Sequence, residues 1–157
     1  MKVARLTLSD RASAGIYQDR SGPEIERVFQ EGGFTVTRWA RIVMPDERAD
    51  IENILRKLID EEATDLILTT GGTGPSPRDV TPEATLAVLE RELPGFGEAM
   101  RMQSFAMVPT AILSRATAGT RGKSLIVNLP GNPKAIGECL PMLLPAICEA
   151  LKHLNGG

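Results

Sequence analysis

A chain of 157 residues with 18 Lys and Arg against 20 Asp and Glu can bury a core without disulfide staples, and it lacks the basic excess with which nucleic-acid binders hold phosphate backbones. No apolar stretch is long enough to span a bilayer, and the N-terminus alternates instead of forming a signal-peptide block. One domain over residues 1–157, cytoplasmic, with neither membrane nor nucleic acid as a partner, is the expectation.

The first predicted element is a strand from Lys2 to Leu8. A long loop follows, and Ser21-Gly22-Pro23-Glu24 has capping-box spacing for a short helix through Ile25, Val28 and Phe29 that stops at Gly32-Gly33. Phe34 to Val43 reads as a second strand. After Met44-Pro45-Asp46-Glu47, the positions Ile51, Ile54, Leu55, Leu58 and Ile59 recur at helical spacing, and Asp65 to Thr70 is a third strand. Thr81-Pro82-Glu83 opens a helix, with Thr at the cap and Pro in the first turn, running to about Arg91. Leu93-Pro94-Gly95 breaks the chain before a helix from Phe96 to Val108. Pro109 to Lys123 is small, polar and Gly-containing, and is read as a mobile loop. Ser124 to Leu129 is a strand, followed by an apolar helix interrupted or kinked at Pro141 and Pro145. Cys139 and Cys148, nine residues apart in that helix, fall on opposite faces and read as packing thiols. Strands alternating with helices predict a three-layer α/β fold with a mainly parallel sheet and helices on both faces.

In a parallel sheet the loops that follow strands gather at one edge, where ligands bind. The most informative of them is Gly71-Gly72-Thr73-Gly74-Pro75-Ser76-Pro77-Arg78-Asp79-Val80-Thr81. Glycines at a strand's carboxyl end let backbone N–H groups approach phosphate oxygens, and Arg78 adds a cation. On this reading a side chain at Gly72 costs ligand binding more than stability. Asp79 is anomalous beside a phosphate unless a divalent cation lies between them, so it reads as a Mg²⁺ ligand or an orienting base. A plain Gly/Pro turn with Asp79 and Thr81 capping the next helix is the competing reading. The loop has neither the Gly-Lys-Ser/Thr ending of a P-loop nor dinucleotide glycine spacing. Pro130-Gly131-Asn132-Pro133-Lys134 repeats the logic: Gly131 permits close approach, Asn132 caps, Pro133 is preset for the first turn, and Lys134 supplies charge. Ser9-Asp10-Arg11 opens the first long loop. Asp46 alone reads as a helix cap, and becomes a candidate through the edge it shares with Asp79. His153 has no partner at metal spacing and reads as surface.

Together Ser9-Asp10-Arg11, Asp19-Arg20-Ser21-Gly22-Pro23, Pro45-Asp46-Glu47, the block Gly71 to Thr85, Leu113-Ser114-Arg115 and Pro130-Gly131-Asn132-Pro133 resemble the molybdopterin adenylyltransferase family. The resemblance is to the MogA type and the gephyrin G domain, with the related MoaB proteins sharing the glycine block. It implies a homotrimer that joins ATP and molybdopterin to give adenylylated molybdopterin and pyrophosphate, with Mg²⁺ as cofactor. The product then passes to a separate molybdate-insertion protein. The family's essential aspartates map onto Asp46 and Asp79, as catalytic residues and metal ligands. Ser9, Asp10, Gly71, Gly72, Thr73, Gly74, Arg78, Ser114, Gly131, Asn132, Pro133 and Lys134 are then the expected substrate and nucleotide contacts. A non-catalytic molybdopterin-binding or scaffold module of the same fold, like MoaB, is the alternative.

Overall fold

The computed structural model describes residues 1–157. Its elements are β1 (Lys2–Leu8), α1 (Asp10–Ser13), α2 (Ser21–Glu31), β2 (Arg38–Met44) and α3 (Arg48–Arg56), which continues as a π turn over Lys57–Glu61. Then come β3 (Leu66–Thr70), α4 (Thr81–Val88), β4 (Arg91–Glu92), α5 (Gly95–Phe105), a 3₁₀ turn (Pro109–Leu113), β5 (Ala118–Arg121), β6 (Ser124–Leu129) and α6 (Pro133–Leu154). The six strands form one sheet in the order β2-β1-β3-β6-β5-β4. The four on the β2 side are parallel, and β5 and β4 extend the sheet antiparallel.

Strand side chains alternate between faces, and the alternation builds two cores. Val3, Leu66, Leu68, Leu125, Val127 and Leu129 meet Ile25 and Phe29 of α2, Phe96 of α5 and the Ile136-Leu140-Leu143 stripe of α6. On the opposite face Ala4, Leu6, Leu8, Ile67 and Ile126 meet Ile51 and Leu55 of α3, then Ala84 and Val88 of α4. The expected three layers are present.

Several elements differ from the sequence reading, the helix read to Val108 ending at Phe105 among them. β2 starts at Arg38 and not at Phe34, because its pairing with β1 begins at Lys2↔Arg38 and no strand lies beside the residues before it. The helix read as running to Arg91 ends at Val88, and Arg91–Glu92 pairs with β5. β5 itself lies inside the segment read as a mobile loop. Its Ala-Gly-Thr-Arg composition hides it, yet Gly119 is what lets Arg91 approach, since a Cβ there would overlap the Arg91 carbonyl oxygen and the Leu89 side chain. The available signal was Gly122-Lys123, a two-residue hairpin loop between Arg121 and Ser124 with Gly122 at φ +56°. Finally, Pro141 and Pro145 sit within one unbroken helix. Both lie on its exposed side, where water can satisfy the carbonyls that lose a donor.

A buried polar cluster ties the sheet to α4. Asn128 is fully buried; its Nδ2 donates to Thr69 Oγ1 (3.0 Å) and Thr85 Oγ1 (2.9 Å), and its Oδ1 accepts from the Thr117 N–H (3.3 Å). Truncation strands that N–H in a dry interior. Asn128→Ala is expected to lower stability by about 3 kcal/mol, read as a lower urea midpoint with an unchanged slope.

Candidate functional site

β1 and β3 are neighbours, but the chain connects β1 to β2 on one side and β3 leads across to β6 on the other. The loops leaving β1 and β3 therefore part at their carboxyl ends and open a crevice. A cleft of about 690 Å³ fills it. Its walls carry Ser9 after β1, Asp46 after β2, Gly71, Gly72 and Asp79 after β3, and Gly131, Asn132 and Pro133 after β6. Residues from four separate strand ends are thus brought together as the sheet-edge argument required.

Gly71 and Gly72 take consecutive left-handed conformations, at φ +93° and +66°. A Cβ on Gly71 would overlap the Leu8 carbonyl oxygen, and one on Gly72 would overlap Thr81 Oγ1 and stand 3.0 Å from Asp46 Oδ1. This corrects the expectation for Gly72: a side chain there meets the protein's own Thr81 and Asp46 before any ligand. Thr81 explains the tight fit, with its Oγ1 donating to the Gly71 carbonyl (2.9 Å) and its N–H to that of Gly72 (3.1 Å). It is the first residue of α4 and not its cap, a position held by Val80. The turn leaves the N–H groups of Gly71, Gly72, Thr73 and Gly74 with no protein acceptor. Four consecutive free donors make an anion cradle.

Asp46 does not cap α3, which begins after Glu47 without a side-chain cap. It is locked to Asp10 by reciprocal bonds: the Asp10 N–H donates to Asp46 Oδ2 (3.1 Å) and the Asp46 N–H to Asp10 Oδ1 (3.0 Å). Asp46 Oδ1 is buried without a hydrogen bond. Burial pushes the Asp46 carboxyl above the usual carboxylate range, the charges of Asp10 and Asp79 push the same way, and the Asp10 N–H opposes them. Asp79 does not cap α4 either. Its Oδ2 accepts from the Ser76 N–H (3.1 Å) while its own N–H donates to the Ser76 carbonyl (2.9 Å), a closed turn that leaves Oδ1 without a protein partner.

Six expected contacts lie off the cleft wall. Arg78, read as a phosphate cation, is committed to carboxylates: Nε and Nη2 each lie 3.0 Å from the Asp10 oxygens, and Nη2 is 2.8 Å from Glu47. This pairing, with the Asp46 N–H, holds the Asp10 carboxyl below its ordinary range. Asp10 and Arg78 therefore brace the loops. Thr73 and Gly74 turn their carbonyls to Arg115. Lys134 is exposed, and its backbone N–H meets Asn132 Oδ1 (2.9 Å), which caps α6 as expected. Ser114 lines a second cavity of about 260 Å³ with Met100, Arg101, Ser104 and Val108, and that cavity shares Asn132 with the cleft.

Among the wall residues given no site role from sequence, two charged ones stand out. Arg20 is the cation on the wall, exposed and in no ion pair. Asp19 lies one residue ahead of the α2 cap position, Arg20, and its Oδ1 accepts from the Ser21 and Gly22 N–H groups at 3.1 Å each. The capping box read at Ser21 does not form: Ser21 Oγ donates to the Gly131 carbonyl (2.7 Å), which ties α2 to the last loop. Asp19 Oδ2 takes bonds from Thr7 Oγ1 (2.9 Å) and the buried Arg5 (3.3 Å), which also reaches Glu26 (2.7 Å). An Asp two positions ahead of Ser21 was the visible signal.

The family model described as "Probable molybdopterin binding domain" matches residues 4–149. The chain belongs to that family. It is 56% identical over 145 residues to a Helicobacter pylori molybdopterin adenylyltransferase, covering 92% of this chain and 82% of the relative. With the Escherichia coli K12 protein of the same name it shares 51% over 153 residues, 98% of this chain and 78% of the relative. Among solved family structures, a Thermus thermophilus molybdopterin biosynthesis enzyme MoaB superposes with a TM-score of 0.89 at 46% identity, over 99% of this chain and 97% of its own. The Mog protein of Mycobacterium ulcerans does so at 0.89 and 36%, over 98% of each chain.

Proposed function

We propose that this chain is a molybdopterin adenylyltransferase that moves AMP from ATP to the terminal phosphate of molybdopterin and releases pyrophosphate. The observation that carries the reading is one cleft holding two carboxylates beside a run of four unpaired backbone N–H groups. The family's relatives bearing that enzyme name support it. A phosphate oxygen of molybdopterin forms a bond to the α-phosphorus of ATP as the bond to the pyrophosphate oxygen breaks. No protein nucleophile is required. The work left to the chain is to hold two polyanions in line and offset their repulsion.

The cradle at Gly71 to Gly74 and the guanidinium of Arg20 bind phosphate oxygens, and Gly131 permits close approach from the other wall. Asp46 and Asp79 suit a hard divalent cation. One has a buried oxygen with no hydrogen bond and the other an oxygen free of protein partners, and burial with neighbouring negative charge leaves Asp46 short of a counter-charge. No group of three or more His, Cys, Asp or Glu forms a complete protein cage. Two carboxylates completed by substrate phosphates match the habit of Mg²⁺, which when bound would neutralise charge on the transferring phosphoryl group. The adjoining cavity, with Arg101, Ser104 and Ser114 set among Met100 and Val108, offers a flat hydrogen-bonding heterocycle a seat next to Asn132, and we assign it to the pterin. The reading as a binding or scaffold module without catalysis is disfavoured by the two carboxylates. Incubating the protein with molybdopterin, ATP and Mg²⁺ decides it: pyrophosphate released in step with adenylylated molybdopterin supports the enzyme, and tight pterin binding without turnover supports the module.

The proposed setting is a cytoplasmic homotrimer that hands its product to a molybdate-insertion protein. No helix is long and apolar enough to cross a membrane. Most apolar residues of α6 face the core, with Ile136, Leu140 and Ile147 fully buried and Met142 exposed. Large apolar side chains are exposed instead along α5 and the turn after it, at Met102, Phe105, Met107, Val108, Ile112 and Leu113. Sedimentation at micromolar concentration is expected to show one species of three chains, and Met107→Lys with Ile112→Lys to shift it toward monomer.

A further inference from the structure

We propose that Arg115 is a positioning residue for adenylyl transfer, acting from behind the cleft to hold the loop that carries Asp79. The inference rests on the adenylyltransferase reading. The Arg115 side chain does not line the cleft. Its guanidinium instead makes three separate attachments to one loop and the helix after it. Nε donates to the Gly74 carbonyl (2.9 Å), Nη2 to the Asp79 carbonyl (2.8 Å), and Nη1 pairs with the Glu83 carboxylate in the first turn of α4. The Arg115 backbone N–H adds a fourth, to the Thr73 carbonyl (2.8 Å). Thus the carbonyls at positions 74 and 79, on both sides of the turn, point to one guanidinium and that of 73 to the same residue's backbone N–H, while the N–H groups from 71 to 74 have no protein acceptor.

Arginine suits this arrangement, since its planar fork spreads donors over three nitrogens at fixed angles, where a lysine ammonium has all its donors on one atom. Between Gly74 and Asp79 the backbone has few other anchors, Arg78 being tied through its side chain to Asp10 and Glu47. Pro75 and Pro77 have no N–H to donate, and within the turn Asp79 is held by Ser76 alone. Arg115 is itself secured, because Arg101 of α5 donates to the carbonyls on either side of it, Ser114 (3.2 Å) and Ala116 (2.9 Å). Gly97 permits that approach, as a Cβ there would overlap the Ala116 carbonyl oxygen. Arg101 and Ser114 line the second cavity. A continuous strut therefore runs from the wall of that cavity, through Arg115, to the backbone of Asp79. Glu83 completes it, with Oε2 buried and without a hydrogen bond while the other oxygen meets Arg115.

The test is a double-substitution cycle with the full chain, scored by initial rates of pyrophosphate release from ATP and molybdopterin. Arg115→Ala is expected to lower kcat about 30-fold or more per folded molecule, and Arg115→Lys to recover part of it. If Arg115 acts through Asp79, then Arg115→Ala in the Asp79→Asn background costs less than about threefold further. Full additivity of the two losses, or an Arg115→Ala rate within twofold of wild type, overturns the proposal. Amide hydrogen exchange supplies a readout independent of turnover: the N–H groups of Ser76, Asp79 and Thr81 are expected to exchange at least tenfold faster in Arg115→Lys, with strand amides unchanged. Unaltered exchange there also overturns it. A wild-type protein that releases no pyrophosphate while Arg115→Lys still loosens these amides would defeat the adenylyltransferase reading and leave the clamp established.

Discussion

Asp46→Asn is expected to give a protein that melts a few degrees higher than the wild type at neutral pH and transfers adenylate at least about 100-fold more slowly. The two effects share a cause. Asp46 is raised above its ordinary range by burial and by the charges of Asp10 and Asp79, so its protonated form is favoured in the folded state. A carboxyl shifted upward binds more protons folded than unfolded, and stability therefore falls as pH rises from the unfolded value toward the folded one. The full cost is present above the folded value, where both states are ionised. Asparagine removes the charge yet keeps an oxygen for the Asp10 N–H, and its amide can supply a donor near Thr81 where Oδ1 now has none. What is lost is the anionic oxygen proposed to engage a cation. Calorimetry from pH 4 to 8 should show the variant's advantage growing as pH rises, while wild type gains more stability than the variant on adding Mg²⁺ with ATP. An Asn variant less stable than wild type throughout, or one that retains turnover, removes the strained-carboxylate account. Asp79→Asn should lose comparable activity without the gain in melting temperature.

Gly72→Val is expected to lose both fold stability, by about 3 kcal/mol or more, and turnover per folded molecule. The position demands φ +66°, which a β-branched residue adopts only under strain, and its Cβ would displace Thr81 Oγ1 and press on Asp46. Displacing Thr81 releases the Gly71 and Gly72 carbonyls and lets the start of α4 move. The N–H cradle then loses its shape. Gly72→Ala should show the same losses in smaller measure. The check is urea unfolding in parallel with ATP titration by calorimetry: lowered stability with unchanged affinity for the folded fraction would remove the loop from the phosphate site.

The pattern of apolar runs was enough for the layers of this fold and for the parallel part of the sheet, because a strand such as Leu66–Thr70, buried on both faces, reads as a continuous apolar stretch and a helix such as α3 repeats its contacts every three or four residues. The glycine block and the two aspartates were legible for a different reason: free donors at a strand end, beside a carboxylate, make little sense without a phosphate. The family to which the chain belongs was visible in the same residues. Sequence missed β4 and β5, since Ala118-Gly119-Thr120-Arg121 owes its strand state to β6 beside it and not to its own propensities.

Within the site, charge sign could be read locally, but partnership could not. Arg78 looks like a phosphate ligand until the fold brings Asp10, 68 residues away in the chain, against its guanidinium. Arg20 remains unpaired on the cleft wall, so the free cation there is one that the motifs contained without a role being assigned to it. Asp46 looks like a helix cap until its reciprocal bonds with Asp10 turn it into the cleft, and Arg115 looks like part of a loop until three carbonyls converge on it. Whether a charged side chain meets ligand or neighbour depends on distances between segments far apart in the chain. Local pattern contains the chemistry of each group, and only tertiary packing decides which groups are left free to use it.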